Sequence, residues 1–255
     1  MICFAFIPYP SPPIFHPMGQ LTLIRHGQAR AFEQDSDRLT ELGKQQAQAL
    51  GEYWVRNGVV FDEVYCGTLT RQQHTAELVG ACFDTAKAPW PKLSKWAELN
   101  EYDADGLIHR LAPALAERDT EFRGLAEAYQ RYRQSSERNR YFQKMFEAVT
   151  VRWLGGEIEA AGVEPWAVFR ERVRGAFKRI INQEGSGRHV GVFTSGGVIG
   201  LLVQTALQAP ETKALEINWR VRNCSLTEFT FSRDRLAFDS FNALPHLGPE
   251  LRTFR

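Results

Sequence analysis

The sequence carries three short polar clusters, and each of them follows an apolar, strand-like run. The first is Arg25-His26-Gly27, directly after residues 21–24. The second is Arg71, at the predicted start of a helix, and the third is Thr194-Ser195-Gly196-Gly197, directly after "VGVF". Guanidinium groups, an imidazole and the backbone N–H groups at a helix start all bind phosphate. Together the clusters predict a phosphate-handling site.

A carboxyl group is also expected at this site. The segment "ELNEYDAD", between the second and third clusters, offers Glu98 and Glu101. A carboxyl group beside a phosphate ester can protonate the leaving oxygen. Either residue can instead be an ordinary surface carboxylate, so both remain candidates for the acid.

These clusters require a scaffold that brings the ends of separate strands to one edge. Strand-like and helix-like runs alternate along the chain, which predicts an α/β fold: a three-layer sandwich with a mostly parallel central sheet and helices on both faces. Ligands bind beyond the carboxyl ends of the strands in such sheets. We expect Thr40 to cap a helix over about 42–56, and Thr70 with Gln73 to form a capping box before Arg71.

The middle of the chain differs from this alternation. From about residue 105 to 160 the strand pattern disappears and aromatic residues recur at helical spacing, which predicts a helical insertion. Four of its arginines are expected to form a solvated helix face, although contact with a substrate is the alternative; they are Arg131, Arg133, Arg138 and Arg140. Afterwards Pro165 opens another helix, a strand and a helix follow, and a hairpin closes the fold. We predict a single domain over 19–255.

Composition narrows the choice of partners. The 255 residues carry a formal net charge of +1, so no global field attracts nucleic acid or an anionic membrane. The four cysteines form no C-x-x-C pair, which favours free thiols and a cytoplasmic location. Residues 1–18 are apolar but contain five prolines, so we expect a disordered N-terminal extension or an upstream start, with a poor signal peptide as the alternative.

The ordered set of motifs resembles the histidine phosphatase superfamily, which has the phosphoglycerate mutase-like fold. "LIRHGQA" matches the family signature, and "LTELG" matches its L-T-x-x-G segment. "GTLTRQQHTA" resembles S-P-L-x-R-A-x-Q-T-A, with Gly67, Thr68 and His74 departing from it. "LNEYD" resembles the segment that supplies the acid, and "TSGGVI" aligns with S-H-G-G-V-I. The matches occur in the family's order from about residue 20 to 208.

The resemblance implies a role for each of the clustered residues. His26 would be the nucleophile that forms a phosphohistidine. Arg25 and Arg71 would hold the non-bridging oxygens, and Glu101 would protonate the leaving oxygen. Gln28, next to the signature, is a further candidate for the phosphate pocket. No metal or other cofactor is required, because the arginines supply the positive charge.

One position departs from the family in a way that affects chemistry. Ser195 stands where the family has a second histidine that donates to the phosphoryl group. The Ser195 hydroxyl and the N–H groups of Gly196 and Gly197 can still donate, but a possible cation is lost. His74 or His109 is a candidate to replace that histidine in space.

These observations predict a metal-independent phosphatase that hydrolyses a phosphate monoester through phospho-His26. The expected partner is a small phosphorylated molecule, with a phosphoprotein as the less favoured case. Two alternatives stay open. One is a binding or regulatory protein that keeps the phosphate pocket but has little turnover, and the other is a phosphomutase.

Overall fold

The strands form one sheet in the computed structural model, which describes residues 18–30, 37–233 and 235–254. Along the sheet the order is β3-β2-β4-β1-β5-β6. The first four strands of this order run parallel, whereas β5 and β6 form an antiparallel hairpin beside β1. The strands are β1 (Gly19–Arg25), β2 (Glu63–Cys66), β3 (Leu93–Lys95), β4 (His189–Thr194), β5 (Leu226–Ser232) and β6 (Arg235–Ala243).

The helices cover both faces of this sheet. The helices are α1 (Glu41–Arg56), α2 (Thr70–Ala86), α3 (Ala104–Gly106), α4 (Ala112–Arg118), α5 (Thr120–Tyr132), α6 (Arg138–Gly155), α7 (Trp166–Ile181), α8 (Gly196–Ala206) and α9 (Thr212–Asn218). A π-helical turn, Leu107–Leu111, joins α3 to α4. The helical insertion predicted from about residue 105 is therefore helical in the structure.

An apolar core lies on each face of the sheet. Both cores must be covered by helices, so the fold has three layers. Helices α1 and α2 pack on one face, against side chains such as Ile24 and Phe193. Helices α5 to α9 contribute to the other core, against Leu23 and Val192. Neighbouring residues of β1 and β4 thus face opposite cores, as the period of a strand requires. The predicted three-layer α/β sandwich is confirmed.

The register of the parallel strands places the first and third polar clusters side by side. Arg25, the last residue of β1, pairs with Thr194, the last residue of β4. The backbone N–H of His26 donates to the Thr194 carbonyl at 2.9 Å. His26 and Ser195 therefore leave adjacent strands at the same carboxyl edge.

The starts of the two helices on the first face differ in how they are capped. Thr40 caps α1 as predicted, since its side chain accepts from the Gly43 N–H. The predicted capping box of α2 is wrong, because Thr70 is already helical and Leu69, at the N-cap, makes no side-chain bond to the helix. Asp37 supplies the cap instead: its Oδ2 accepts from the Thr70 N–H at 2.7 Å.

The arginines of the insertion lie mainly on its outer surface. Arg131, Arg133 and Arg140 are exposed, and Arg140 pairs with Glu137 on its own helix at 3.0 Å. The expected N-terminal extension lies outside the described residues, except for Met18. In the part of the chain that the structure describes, no helix has both the length and the apolar character to cross a membrane.

Candidate active site

His26 is buried at the end of β1, with 6% of its surface exposed. Its Nδ1 lies 2.7 Å from the Gly27 carbonyl oxygen. A carbonyl oxygen can only accept, so Nδ1 must carry the proton in this contact. The neutral ring therefore keeps its lone pair on Nε2, which is the nitrogen that can attack phosphorus.

The residue after His26 must be small for this geometry to exist. A Cβ atom at Gly27 would lie 2.4 Å from the carbonyl oxygen of Gly43 in α1. The Gly27 N–H donates to Thr75 Oγ1 at 3.0 Å, which ties the turn to α2 as well. The close backbone approach explains why glycine follows the histidine.

The charge state of His26 is set by its surroundings. Burial lowers the pKa of His26 well below its ordinary value of 6.5, and the positive charges of Arg71 and Arg25 lower this pKa further. The hydrogen bond to Gly27 opposes these effects only in part. His26 is therefore a neutral imidazole at neutral pH, which is the form a nucleophile requires.

Arg71 lies in the first turn of α2, directly against the His26 ring. Its Nε donates to His26 Nε2 at 3.2 Å, and its Nη1 donates to Asp37 Oδ1 at 2.7 Å. The guanidinium thus faces the nitrogen at which a phosphoryl group would bind. Asp37 orients Arg71 and caps the same helix with its other oxygen.

Arg25 connects the site to the carboxyl terminus of the described chain. Its Nη1 donates to the carbonyl oxygens of Val221 and Phe254, the latter at 2.7 Å. The charge of Arg25 also influences the pKa values of both His26 and Glu101. Both predicted phosphate-binding arginines therefore act on the predicted nucleophile and on the predicted acid.

The structure brings Glu101, rather than Glu98, to this site. Glu101 Oε2 accepts from the Gly197 N–H at 3.0 Å, at the start of α8. Burial raises the pKa of Glu101, although bonds from backbone N–H groups and the nearby arginines oppose this rise. Glu98 instead pairs with Arg179 at 2.7 Å on the protein surface.

Hydrogen bonds hold both the carboxyl group of Glu101 and the backbone that carries it. The Tyr102 N–H donates to its Oε1 at 3.2 Å, and Arg172 of α7 donates to the carbonyl oxygens of Glu98 and Asn100 at 2.9 Å each. A Cβ at Gly197 would lie 2.2 Å from Glu101 Oε1, so only glycine leaves room for the acid. The Gly197 N–H, which was expected to donate to a phosphoryl group, instead donates to the protein's own Glu101 carboxyl group.

Ser195 and Gly196 form the start of α8. Ser195 is fully buried, and its Oγ accepts from Gln72 Nε2 at 2.9 Å. A Cβ at Gly196 would lie 2.3 Å from Asn218 Oδ1, so this glycine packs tightly against the end of α9. Donation from Ser195 and Gly196 to a phosphoryl group remains a prediction.

The family of the chain is decided by a comparison with known families. Residues 21–141 and 138–244 match the family described as the histidine phosphatase superfamily, branch 1. These segments cover most of the sequence. The chain belongs to the histidine phosphatase superfamily.

The match to an individual member of the superfamily covers a smaller part of the chain. A 2,3-bisphosphoglycerate-dependent phosphoglycerate mutase of Rhizobium etli (strain CIAT 652) is 38% identical over 92 residues, which span 33% of this chain and 42% of that mutase. The chain therefore matches less than half the length of this relative.

Two solved structures show the same fold over most of their length. The phosphoglycerate mutase from Bacillus anthracis str. Sterne has a TM-score of 0.61 and 18% identity, over 91% of this chain and 96% of that one. The phosphoserine phosphatase of Entamoeba histolytica in complex with 3-phosphoglyceric acid has a TM-score of 0.57 and 18% identity, over 90% and 99%. At these identities the likeness concerns the fold.

Three further sequence candidates have the following surroundings in this superfamily member. The side-chain oxygen of Gln28 accepts from Thr40 Oγ1 at 2.9 Å, at the start of α1. His74 is half-buried in α2, and His109 is exposed on the π-helical turn. Ser195 is instead contacted by Gln72, so the structure brings neither histidine into the missing position. Phosphate binding by Gln28 stays a prediction.

Sequence reasoning missed two residues that shape the site. Asp37 lies 33 residues before Thr70 and joins it only through the tertiary fold. Gln72 occupies the alanine position of the superfamily segment S-P-L-x-R-A-x-Q-T-A. That departure was a detectable signal, because a long polar side chain in place of alanine next to a phosphate-binding arginine needs a partner.

Proposed function

We propose that the chain hydrolyses a phosphate monoester through a phosphohistidine on His26, with no metal in the reaction. The observation that carries this proposal is the Nδ1 contact of His26 with the Gly27 carbonyl, which leaves Nε2 unprotonated and facing Arg71. The superfamily includes both phosphatases and phosphomutases, and hydrolysis is the reaction proposed for this member.

The first step forms the covalent intermediate. The Nε2 lone pair of His26 attacks phosphorus, a P–N bond forms, and the P–O bond to the leaving alcohol breaks. Glu101, whose pKa is raised by burial, gives its proton to the leaving oxygen. Arg71 turns from His26 Nε2 to the non-bridging oxygens, and Arg25 adds a second positive charge.

The second step releases phosphate. The Glu101 carboxylate accepts a proton from water, the water oxygen bonds to phosphorus, and the P–N electron pair returns to Nε2. The proton on Nδ1 stays in place throughout, because the Gly27 carbonyl holds it and stabilises the positive charge of the phosphorylated ring. His26 thereby returns to its starting tautomer.

The proposed substrate is a small phosphorylated molecule. The fold neighbour from Entamoeba histolytica is a phosphoserine phosphatase that holds 3-phosphoglyceric acid, a small phosphate ester. The residues around His26 would bind the phosphoryl group, and the leaving group would face the helical insertion. A phosphoprotein is the second candidate of the same chemistry.

The decisive experiment compares the wild type with His26→Ala on a panel of phosphate esters in the presence of a chelator. We expect the wild type to release inorganic phosphate and His26→Ala to lose this activity. Rapid alkaline quenching should trap acid-labile phosphate on the wild type. His109→Ala is the matched control, because His109 is exposed and should leave the rate unchanged.

Three outcomes would change the assignment. Full activity of His26→Ala would remove the phosphohistidine mechanism. Transfer of the phosphoryl group to an added alcohol in preference to water would favour the phosphomutase. Binding of phosphate esters by the wild type with no turnover of any of them would favour the binding protein.

A further inference from the structure

The side chain of Gln72 lies in the first turn of α2 and is fully buried beside Ser195. Its Nε2 donates to Ser195 Oγ at 2.9 Å and to the Leu99 carbonyl oxygen at 3.3 Å. Since a carbonyl oxygen cannot donate, the contact with Leu99 determines which end of the amide is nitrogen. Gln72 therefore donates to Ser195, and Ser195 accepts.

The hydrogen bond from Gln72 determines which groups the hydroxyl proton of Ser195 can be donated to. One lone pair of Oγ is taken by Gln72, and Oγ makes no capping bond to the N–H groups of α8. Among the residues that the structure describes, none accepts a hydrogen bond from the Ser195 hydroxyl. The hydroxyl proton is thus free to donate to a group bound next to His26. His26 follows β1, and Ser195 follows the adjacent strand β4.

The surroundings of the Gln72 amide oxygen indicate that Gly67, Gln72 and Ser195 pack together. Gln72 Oε1 is buried and has no hydrogen-bond partner within the described ranges of the chain. A buried amide oxygen without a partner is unfavourable. A Cβ at Gly67 would lie 1.9 Å from this oxygen, so the amide fits only because residue 67 is glycine. Gly67, Gln72 and Ser195 therefore form one packed unit.

We propose that Gln72 is a positioning residue: its amide holds Ser195 so that the hydroxyl proton points to the phosphoryl group during transfer. Gln72 itself does not touch the substrate and acts through Ser195 Oγ. The proposal rests on the proposed function, because it assigns the phosphoryl group on His26 as the acceptor.

A double-mutant cycle on steady-state turnover tests this coupling. Removal of one oxyanion-hole donor from a protease lowers kcat by about 10²- to 10³-fold, and we expect a loss near the lower end of this range from Ser195→Ala. Gln72→Met keeps the length of the side chain but cannot donate, and should lower kcat by roughly tenfold with little change in KM. In the Ser195→Ala background, Gln72→Met should have no further effect.

Gln73→Met is the matched control for the cycle. Gln73 is the next residue in the same helical turn, and its amide donates to the Thr68 carbonyl oxygen at 2.6 Å, away from Ser195. Its replacement should leave kcat unchanged. Effects of Gln72→Met and Ser195→Ala that multiply would show that the two residues act independently, and would overturn the proposal.

A second pair of variants tests the packing without relying on Gln72→Met. Ser195→His should lower kcat, because the ring would meet the Gln72 amide that now lies 2.9 Å from Oγ. Ser195→His combined with Gln72→Ala should recover turnover, since the shorter side chain admits the ring. An increase in kcat from Ser195→His with Gln72 intact would contradict the proposal.

A binding readout separates this proposal from the proposed function. Orthovanadate adopts a five-coordinate form that resembles phosphoryl transfer, so its Kd reports the same donors without turnover. Wild type without phosphatase activity would refute the proposed function, and the cycle would then be read from vanadate affinity. If the enzyme forms phospho-His26 but the two substitutions act independently on both kcat and the vanadate Kd, only the positioning role is refuted.

Discussion

At the scale of single residues, the site depends on two groups whose pKa values are moved in opposite directions. Burial lowers the pKa of His26, and burial raises the pKa of Glu101. In each case the neutral form is favoured, which gives a nucleophile with a free lone pair and an acid with a proton to donate. The same low-dielectric environment thus prepares both partners.

The pH dependence of kcat/KM follows from these directions. As pH falls through the lowered pKa of His26, the ring gains a proton and the rate should decrease. As pH rises through the raised pKa of Glu101, the acid loses its proton and the rate should decrease again. We expect a bell-shaped profile whose alkaline limb disappears in Glu101→Gln; an unchanged alkaline limb would assign it to another group.

The acid role predicts a dependence on the leaving group. Glu101→Gln keeps the shape of the side chain but removes the proton, so alkyl phosphates should react about 10²- to 10⁴-fold more slowly. 4-Nitrophenyl phosphate should be affected little, because its leaving group needs little protonation. Glu98→Gln is the control, since Glu98 pairs with Arg179 at the surface. Equal losses on both substrates would argue against Glu101.

At the scale of elements, the start of α2 combines a helix cap with the orientation of Arg71. Asp37 accepts from the Thr70 N–H through one oxygen and from Arg71 Nη1 through the other. The loop that carries Asp37 therefore stabilises the helix and aims the guanidinium at His26. A similar arrangement occurs at α5, where Asp119 caps the helix and pairs with Arg152 away from the predicted nucleophile.

This duplication allows stability and activity to be separated. Asp37→Ala and Asp119→Ala should each lower the free energy of unfolding by about 1 kcal/mol, the usual cost of a lost N-cap. Only Asp37→Ala should also raise KM for phosphate esters, because Arg71 loses its partner. Denaturant unfolding and steady-state kinetics of both variants give the comparison. Equal KM values would show that Asp37 has a structural role only.

At the scale of the whole molecule, residues 251–254 contact three segments that are remote in sequence, including Arg25 of the site. The Asn223 N–H donates to the Thr253 carbonyl at 2.9 Å, and Gln46 Nε2 donates to the Leu251 carbonyl at 2.7 Å. Arg25 then donates to the Phe254 carbonyl. A segment remote in sequence therefore holds a predicted phosphate-binding arginine.

Removal of this segment should weaken substrate binding. Deletion of residues 253–255 takes away one of the two carbonyl groups that orient Arg25, so KM should rise several-fold. Phe254→Ala keeps the carbonyl and removes only the ring, whose centroid lies 5.0 Å from Arg222 Cζ. KM should therefore change little. Kinetics of both variants test the idea, and a similar rise in KM for the two would attribute it to the side chain.

The features that could be predicted from the sequence alone depend on residues that are close together along the chain. The Thr40 cap spans three residues, the apolar strands are buried by their own composition, and "RHG" directly follows its strand. The α/β order and the place of His26 follow from such local patterns. The resemblance to the superfamily added the roles of residues that the pattern alone could not assign.

The tertiary structure decided the contacts between residues that are distant in sequence. The cap of α2 comes from Asp37, the Gly197 N–H is taken by Glu101 rather than Glu98, and Gln72 meets Ser195 across 123 residues. Each of these contacts depends on the register that pairs Arg25 with Thr194 and on how the helices pack on the sheet. Such distances are set by the packing of the whole core, so no local window of the sequence contains them.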